Sequence, residues 1–128
     1  MAIQQVRSLK AIGSPKYPLD EVYAAQNAGL AWDRDHDPLG MLRQAVAVLK
    51  SGDRTEKLRS LQVPTLIIHG ESDKMVDVSG GRATAAAIPN AELVIFEGMG
   101  HGLPKQLWTD FANRIADLIH RVESSRFN

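Results

Sequence analysis

Two short aliphatic segments separated by an alanine-rich one constrain the fold of this chain more than any other feature. Residues 63–70 (VPTLIIHG) place consecutive β-favouring side chains between a proline and a glycine, which is typical of a strand buried on both faces. Residues 79–88 predict a helix, and residues 91–97 (AELVIFE) predict a second strand. A strand, a helix and a strand within about 35 residues form a βαβ unit with parallel strands and a right-handed crossover. The sequence therefore predicts an α/β fold.

The part of the chain before this unit has helical periodicity only. Apolar side chains recur at helical spacing over residues 3–12, after Asp20, over residues 39–50 and in a short segment after Asp53. Glycine, serine or proline residues separate these segments and predict where the helices end. We expect residues 1–61 to form a helical, lid-like region.

A last helix is predicted to follow the second strand. Pro104 occupies the first turn, where its missing N–H removes no helical hydrogen bond. The helix carries one broad apolar face, and Trp108 and Phe111 are predicted to be core residues against the sheet. Residues 62–128 would then form a βαβα unit.

The charge and the composition exclude several classes of protein. Fifteen basic residues balance fifteen acidic ones, so the chain lacks the overall positive charge that nucleic acids or anionic membranes attract. The absence of cysteine excludes disulfides, thiolate catalysis and thiolate metal sites. No apolar run approaches the roughly 20 residues of a membrane span, and the first residues do not resemble a signal peptide. We expect a soluble, cytoplasmic protein.

Asp73 and His101 are the candidate catalytic residues. Each follows a predicted strand, and the loops that leave parallel strands meet at the same edge of the sheet, where α/β proteins bind their ligands. An aspartate there can accept the Nδ1 proton of the imidazole, so that the other ring nitrogen acts as a general base. Glycines at positions 98, 100 and 102 permit a tight turn around the histidine.

Neighbouring residues offer alternative interpretations. Asp73 and His101 taken singly are also compatible with a turn carboxylate and a solvated loop histidine. Glu71 and Asp77 flank Asp73 and could replace it as the acid. His69 ends a predicted buried strand, and we expect its ring to bond to nearby backbone rather than to act in chemistry.

Two further motifs imitate ligand sites without completing them. Residues 33–37 place aspartates as a calcium loop does, but Pro38 and Gln44 occupy positions that need glycine and glutamate. Residues 98–103 imitate a dinucleotide-binding turn, with Leu103 in place of the third glycine. We expect a solvated helix-capping segment at the first motif, and no metal or organic cofactor.

The second half of the chain resembles the C-terminal part of α/β-hydrolase-fold enzymes, and among them esterases and haloperoxidase-like members. The similarity lies in residues 63–76, 88–91 and 97–101. The resemblance implies that Asp73 is the acid and His101 the histidine of a catalytic triad, with residues 1–61 as the cap.

The same resemblance implies a substrate class and a pocket. The substrate of the complete enzyme would be a small ester or acyl compound, and no cofactor or metal would take part. Val76 and Leu103 would line the acyl pocket. From the balanced charge and the lack of an apolar span we also expect the protein to bind neither nucleic acid nor membrane.

The chain departs from this family in one essential feature. The family places its nucleophile in a G-x-S-x-G turn upstream of the acid and the histidine. None of the eight serines stands in that sequence: they are Ser8, Ser14, Ser51, Ser60, Ser72, Ser79, Ser124 and Ser125. We therefore expect the C-terminal fragment or half of a serine-type hydrolase, inactive by itself.

Two other interpretations of the missing nucleophile remain open at the sequence level. The chain could be a non-catalytic remnant that acts as a binding or oligomerisation module, or one half of a split hydrolase. Because two strands leave both edges of a sheet unpaired, we expect a homo-oligomer or a complementing N-terminal half.

Overall fold

The structure is a computed structural model that describes residues 2–35, 37 and 39–126. Four helices precede a strand–helix–strand unit and a last helix, in the order that the sequence predicts, and the α/β fold class is confirmed. The elements are α1 (Ala2–Ala11), α2 (Glu21–Arg34), α3 (Gly40–Ser51), α4 (Thr55–Arg59), β1 (Leu66–Gly70), α5 (Val78–Ala87), β2 (Glu92–Phe96) and α6 (Trp108–Arg126). One 3-10 turn, Lys105–Leu107, precedes α6.

The two strands pair in parallel, and α5 connects them. Leu66 lies opposite Glu92 and Gly70 opposite Phe96, so the carboxyl ends of both strands meet at one edge. This arrangement is the βαβ unit that the aliphatic segments predict. Its consequence for function is that the loops after β1 and β2 leave the sheet side by side.

A small aromatic core lies on one face of the sheet. Phe96 at the end of β2 packs edge-to-face on Phe111 of α6, with 5.1 Å between the ring centroids. Met99 completes this cluster, and Ile68 and Val94 pack against it from the sheet. α5 covers the opposite face of the sheet. This cluster joins α6 to the sheet, and an ion pair between Arg121 of α6 and Glu92 of β2 adds a second connection.

The expectation of a strand buried on both faces is wrong for β1. Residues 66–69 are only partly buried. Within the part of the chain that the structure describes, the sheet has two strands, and each strand has one edge without a neighbouring strand. The aliphatic run predicts the strand correctly, but burial depends on neighbours that local sequence does not specify.

Trp108 also differs from its prediction. Phe111 is 7% exposed and belongs to the core, whereas Trp108 is 45% exposed. Its indole Nε1 donates to the carbonyl of Leu103 at 3.0 Å, and its ring meets the edge of Tyr23 in α2. Because Trp108 is the first residue of α6, it lies beside α2 and the preceding loop rather than against the sheet.

α3 is amphipathic in sequence but exposed in the structure. Leu42, Val46 and Leu49 on its apolar face are all exposed to solvent. No helix among residues 2–35, 37 and 39–126 is both long enough and apolar enough to cross a lipid bilayer.

Candidate active site

Asp73 and His101 are hydrogen-bonded to each other. Asp73 follows β1, His101 follows β2, and Nδ1 of the imidazole lies 2.9 Å from Oδ2 of the carboxylate. An ionised carboxylate only accepts hydrogen bonds, so Nδ1 carries the proton and Nε2 of the neutral ring carries a lone pair. The Asp73 side chain is 7% exposed and the His101 side chain 39% exposed. This geometry places a partly exposed imidazole against a buried carboxylate that can fix its tautomer.

Backbone hydrogen bonds hold the two loops together. The amide of Glu71 donates to the carbonyl of Phe96 at 3.0 Å, and the amide of Ser72 donates to that of Met99 at 2.9 Å. These bonds extend the parallel pairing of the strands into the loops. They fix the distance between the acid and the histidine without using either side chain.

The turn after Asp73 satisfies the other oxygen of the carboxylate. Oδ1 accepts from the amide of Met75 at 2.8 Å and from that of Val76 at 3.0 Å, which leaves Oδ2 for His101. Burial alone raises the pKa of Asp73, but the hydrogen bonds from the Val76 amide, the His101 ring and the Met75 amide outweigh it and lower the pKa. Asp73 is therefore ionised at neutral pH.

The lowered pKa of Asp73 predicts a loss of stability in acid. The stabilisation is present above the unfolded-state pKa of about 3.9 and is lost as the pH falls through the lower folded-state value. We expect the free energy of unfolding, measured in urea between about pH 6 and pH 2, to decline less steeply below about pH 4 in Asp73→Asn than in the wild type. Asp20, Asp53 and Asp77 also have lowered pKa values. They are present in both proteins, so the difference isolates Asp73, and identical acid slopes would contradict the prediction.

The segment between α1 and α2 is hydrogen-bonded to the turn that carries His101, which we call the histidine turn. The amide of His101 donates to the carbonyl of Ile12 and the amide of Gly100 to Oγ of Ser14, both at 2.9 Å. A Cβ on Gly100 would collide with the backbone of Ile12 and Gly13. Only glycine permits this close approach, and the approach helps to fix the position of the His101 backbone.

A cavity of about 710 Å³ opens beside His101. It lies between α1, α2 and the loop that leads to α6, and its lining is mostly apolar. Contributing side chains include Leu9, Ile12, Tyr17, Leu19, Tyr23 and Trp108. Leu103 lines the cavity as well, but Val76 is not among its described lining residues. Val76 lies instead in the Asp73 turn, where its amide and carbonyl are both hydrogen-bonded.

The two alternative acids lie in other surroundings. Asp77 caps α5, with its side chain accepting from the amide of Ser79 at 2.9 Å, and Glu71 is exposed to solvent. The ring of His69 bonds to backbone, as the sequence predicts: its Nε2 donates to the carbonyl of Val76 at 2.9 Å.

The calcium-like segment and the dinucleotide-like turn both make contacts within the protein. Within the calcium-like segment, His36 and Pro38 lie outside the described residues, and Asp37 pairs with Arg43 of α3. Over the described part of the chain, no group of three or more acidic or histidine side chains is arranged to hold a metal ion. The dinucleotide-like turn packs its Gly100 against the segment between α1 and α2.

Sequence reasoning missed the polar contacts that close one side of the cavity. Nζ of Lys105 lies 2.9 Å from Oδ2 of Asp20 and 3.6 Å from the centre of the Tyr23 ring. Hydrogen bonds from the Lys105 ammonium and the Tyr23 amide lower the pKa of Asp20. The ion pair links the start of α2 to the loop after His101. Asp20 and Lys105 are 85 positions apart, so no local pattern predicts their contact.

Comparison with known proteins places this site in a family context. Residues 28–106 match the model of the family described as serine aminopeptidase, S33. A non-heme chloroperoxidase of Kitasatospora aureofaciens is 46% identical over 52 residues, which cover 40% of this chain and 19% of that protein. A non-heme haloperoxidase of Rhodococcus erythropolis is 34% identical over 82 residues, 63% of this chain and 29% of that protein.

Two further proteins extend the comparison. A monoacylglycerol lipase of Mus musculus is 30% identical over 76 residues, 57% of this chain and 23% of that protein. The chain thus matches less than a third of the length of these curated relatives. A solved serine hydrolase involved in carbazole degradation shares the fold with a TM-score of 0.66 at 22% identity, over 94% of this chain and 47% of that one.

Proposed function

Because this chain belongs to the serine aminopeptidase S33 family of α/β hydrolases, we propose that it supplies the acid and the general base of a serine-type hydrolase acting on esters or related acyl compounds. The observation that carries the proposal is the 2.9 Å hydrogen bond between Nδ1 of His101 and Oδ2 of Asp73, beside an apolar cavity. A buried acid bonded to a partly exposed imidazole is the arrangement that activates a serine.

The proposed reaction follows from the two ring nitrogens. Nε2 of His101 accepts the serine hydroxyl proton as Oγ attacks the acyl carbon, and then returns that proton to the departing alcohol. Asp73 keeps the Nδ1 proton in place and stabilises the imidazolium between these steps. A water molecule then attacks the acyl group on the serine and gives a proton to Nε2. Nε2 passes this proton to Oγ of the serine as the carboxylic acid product leaves.

The nucleophile is proposed to come from polypeptide outside these 128 residues. None of the eight serines has the G-x-S-x-G sequence, and the sheet as described has two strands. The contributing segment is either upstream in the same reading frame or part of a separate chain. It would also supply the hydrogen-bond donors that stabilise the oxyanion.

The cavity supports an apolar acyl group as substrate. A volume of about 710 Å³ is within the range of small-molecule pockets, and such pockets combine apolar walls with a few polar groups. Here the walls come from α1, α2 and the segment that leads into α6, and His101 provides a polar group in the lining.

Complementation tests this proposal directly. The chain is mixed or co-expressed with the part of the K. aureofaciens chloroperoxidase that precedes the matched region, after a G-x-S-x-G sequence has been located in that part. We expect hydrolysis of p-nitrophenyl butyrate by the mixture and not by either polypeptide alone. Formation of a stable complex without hydrolysis would contradict the catalytic proposal.

Assembly without catalysis is the second candidate function. It is favoured by the two open sheet edges among the described residues and by the exposed apolar face of α3. This proposal predicts that the isolated chain forms a homo-oligomer. Sedimentation at high micromolar concentration checks it, and a monomer there would refute it.

A further inference from the structure

We propose that His69 is a positioning residue, which locks the turn after Asp73 so that one carboxylate oxygen faces His101. His69 lies in β1 and is not among the described residues that line the cavity. Its influence would pass through the backbone of Val76. The inference rests on the proposed function only for its catalytic consequence, because the locked turn itself can be measured without substrate.

Two hydrogen bonds that meet at the backbone of Val76 connect His69 to Asp73. Nε2 of His69 donates to the carbonyl of Val76 at 2.9 Å, and the amide of Val76 donates to Oδ1 of Asp73 at 3.0 Å. With Oδ1 held in this way, Oδ2 is directed to Nδ1 of His101. The bonded carbonyl and amide lie on the two peptide groups that flank Cα of Val76. Loss of the first bond therefore loosens the backbone at Val76, whose amide is one of the two that orient the carboxylate.

The electrostatics favour the same arrangement. Nε2 of His69 lies 3.9 Å from Oδ2 of Asp73, and the two side chains are 12% and 7% exposed. A carbonyl only accepts, so Nε2 of His69 carries a proton and places a partial positive charge near the carboxylate. Asp73 is thus flanked by two imidazole N–H groups, one bonded to it directly and one held by the turn.

The His69 ring packs against α5 at a glycine, Gly81, which leaves room for it. A Cβ placed on Gly81 would lie 2.7 Å from Nδ1 and 2.9 Å from Cγ of that ring, so a side chain there would push the ring away. Gly80, one residue earlier on α5, would place its Cβ 3.5 Å from Cγ1 of Val76, an ordinary contact. The two neighbouring glycines therefore offer a matched pair of alanine substitutions.

The first experiment removes the donor but keeps the volume. In His69→Leu we expect the amides of Met75 and Val76 to exchange with solvent about fivefold faster, as loss of one hydrogen bond implies. We expect ring ¹⁵N shifts to show a smaller share of the Nδ1–H tautomer of His101 than in the wild type. His69→Gln, whose amide can donate to the Val76 carbonyl, should restore both properties. Wild-type exchange and tautomer in His69→Leu would overturn the proposal, as would failure of His69→Gln to restore them.

The second experiment moves the ring without removing it, and decides the question if His69→Leu does not fold. Gly81→Ala should accelerate exchange of the same two amides, although alanine by itself favours a helix over glycine. Gly80→Ala should leave them unchanged. Equal behaviour of the two variants would overturn the proposal. Since neither readout uses substrate, a failed complementation assay would not affect this result.

Discussion

Ester hydrolysis by the complemented protein is expected to fall by roughly 10²–10⁴-fold when His101 is replaced by alanine. The variant removes the group that accepts the serine proton and returns it to the leaving alcohol. Cavity walls from α1 and α2 remain, so substrate binding should change little. The effect should therefore appear in kcat, with KM nearly unchanged.

Asp73→Asn tests the proposed role of Asp73, which is to orient the His101 ring. Asparagine keeps the shape of the side chain but removes the charge that stabilises the imidazolium, and it can turn a donor toward Nδ1. We expect kcat to fall by up to about 10⁴-fold, in the same direction as His101→Ala and without adding to it. Non-additivity in the double variant would show that the two residues act as one unit.

His120→Ala is the matched control for the histidine substitution. His120 is an exposed histidine of α6, remote in sequence from the histidine turn. Its replacement should leave kcat within about threefold of the wild type, as expected of a surface substitution. Retention of near-wild-type turnover in His101→Ala, with His120→Ala equally active, would refute the role proposed for His101.

The order of helices and strands follows from local sequence because each element carries its own signal. The aliphatic runs end at Gly70 and Gly98, and the structure places β1 at Leu66–Gly70 and β2 at Glu92–Phe96. Parallel pairing follows from the length of the connection through α5, and it brings Asp73 to His101. The proximity of Asp73 and His101 is thus predictable from the strand ends, whereas the preference for Asp73 over Glu71 and Asp77 rests on the resemblance to a family.

The cavity was not predictable in the same way. It depends on the segment between α1 and α2, whose Ser14 bonds to Gly100 across 86 positions of sequence. Trp108 has the spacing of a core residue, yet it lies at the start of α6, where Tyr23 and the carbonyl of Leu103 are its neighbours. Periodicity identifies an apolar face, but it does not say which element covers each residue of that face.

The division of the chain at residue 62 remains a prediction. α1 and α2 are linked to the loop after β2 by the Ile12, Ser14 and Asp20 contacts, so the helical region and the βαβα unit share the walls of one cavity. A lid that contributes a wall to the pocket would couple substrate binding to the position of the histidine turn.

Phe111→Ala is expected to destabilise the protein by about 3–5 kcal/mol. Phe111 is 7% exposed, and its ring packs edge-to-face on Phe96 with the planes 81° apart. The loss combines the transfer free energy of the ring with the cavity left between α6 and the sheet. In the described part of the chain, this aromatic pair and Met99 form the buried cluster at the end of β2.

Urea unfolding followed by circular dichroism measures this effect, with Ile119→Ala as the control. Ile119 is also an apolar residue of α6, but it is 49% exposed, so its truncation should cost about 1 kcal/mol or less. An unchanged slope with a lower midpoint in Phe111→Ala would show that only stability has changed. Equal losses in the two variants would contradict the core described here. Met99 of the same cluster lies two residues before His101, so the buried core and the histidine turn share a residue.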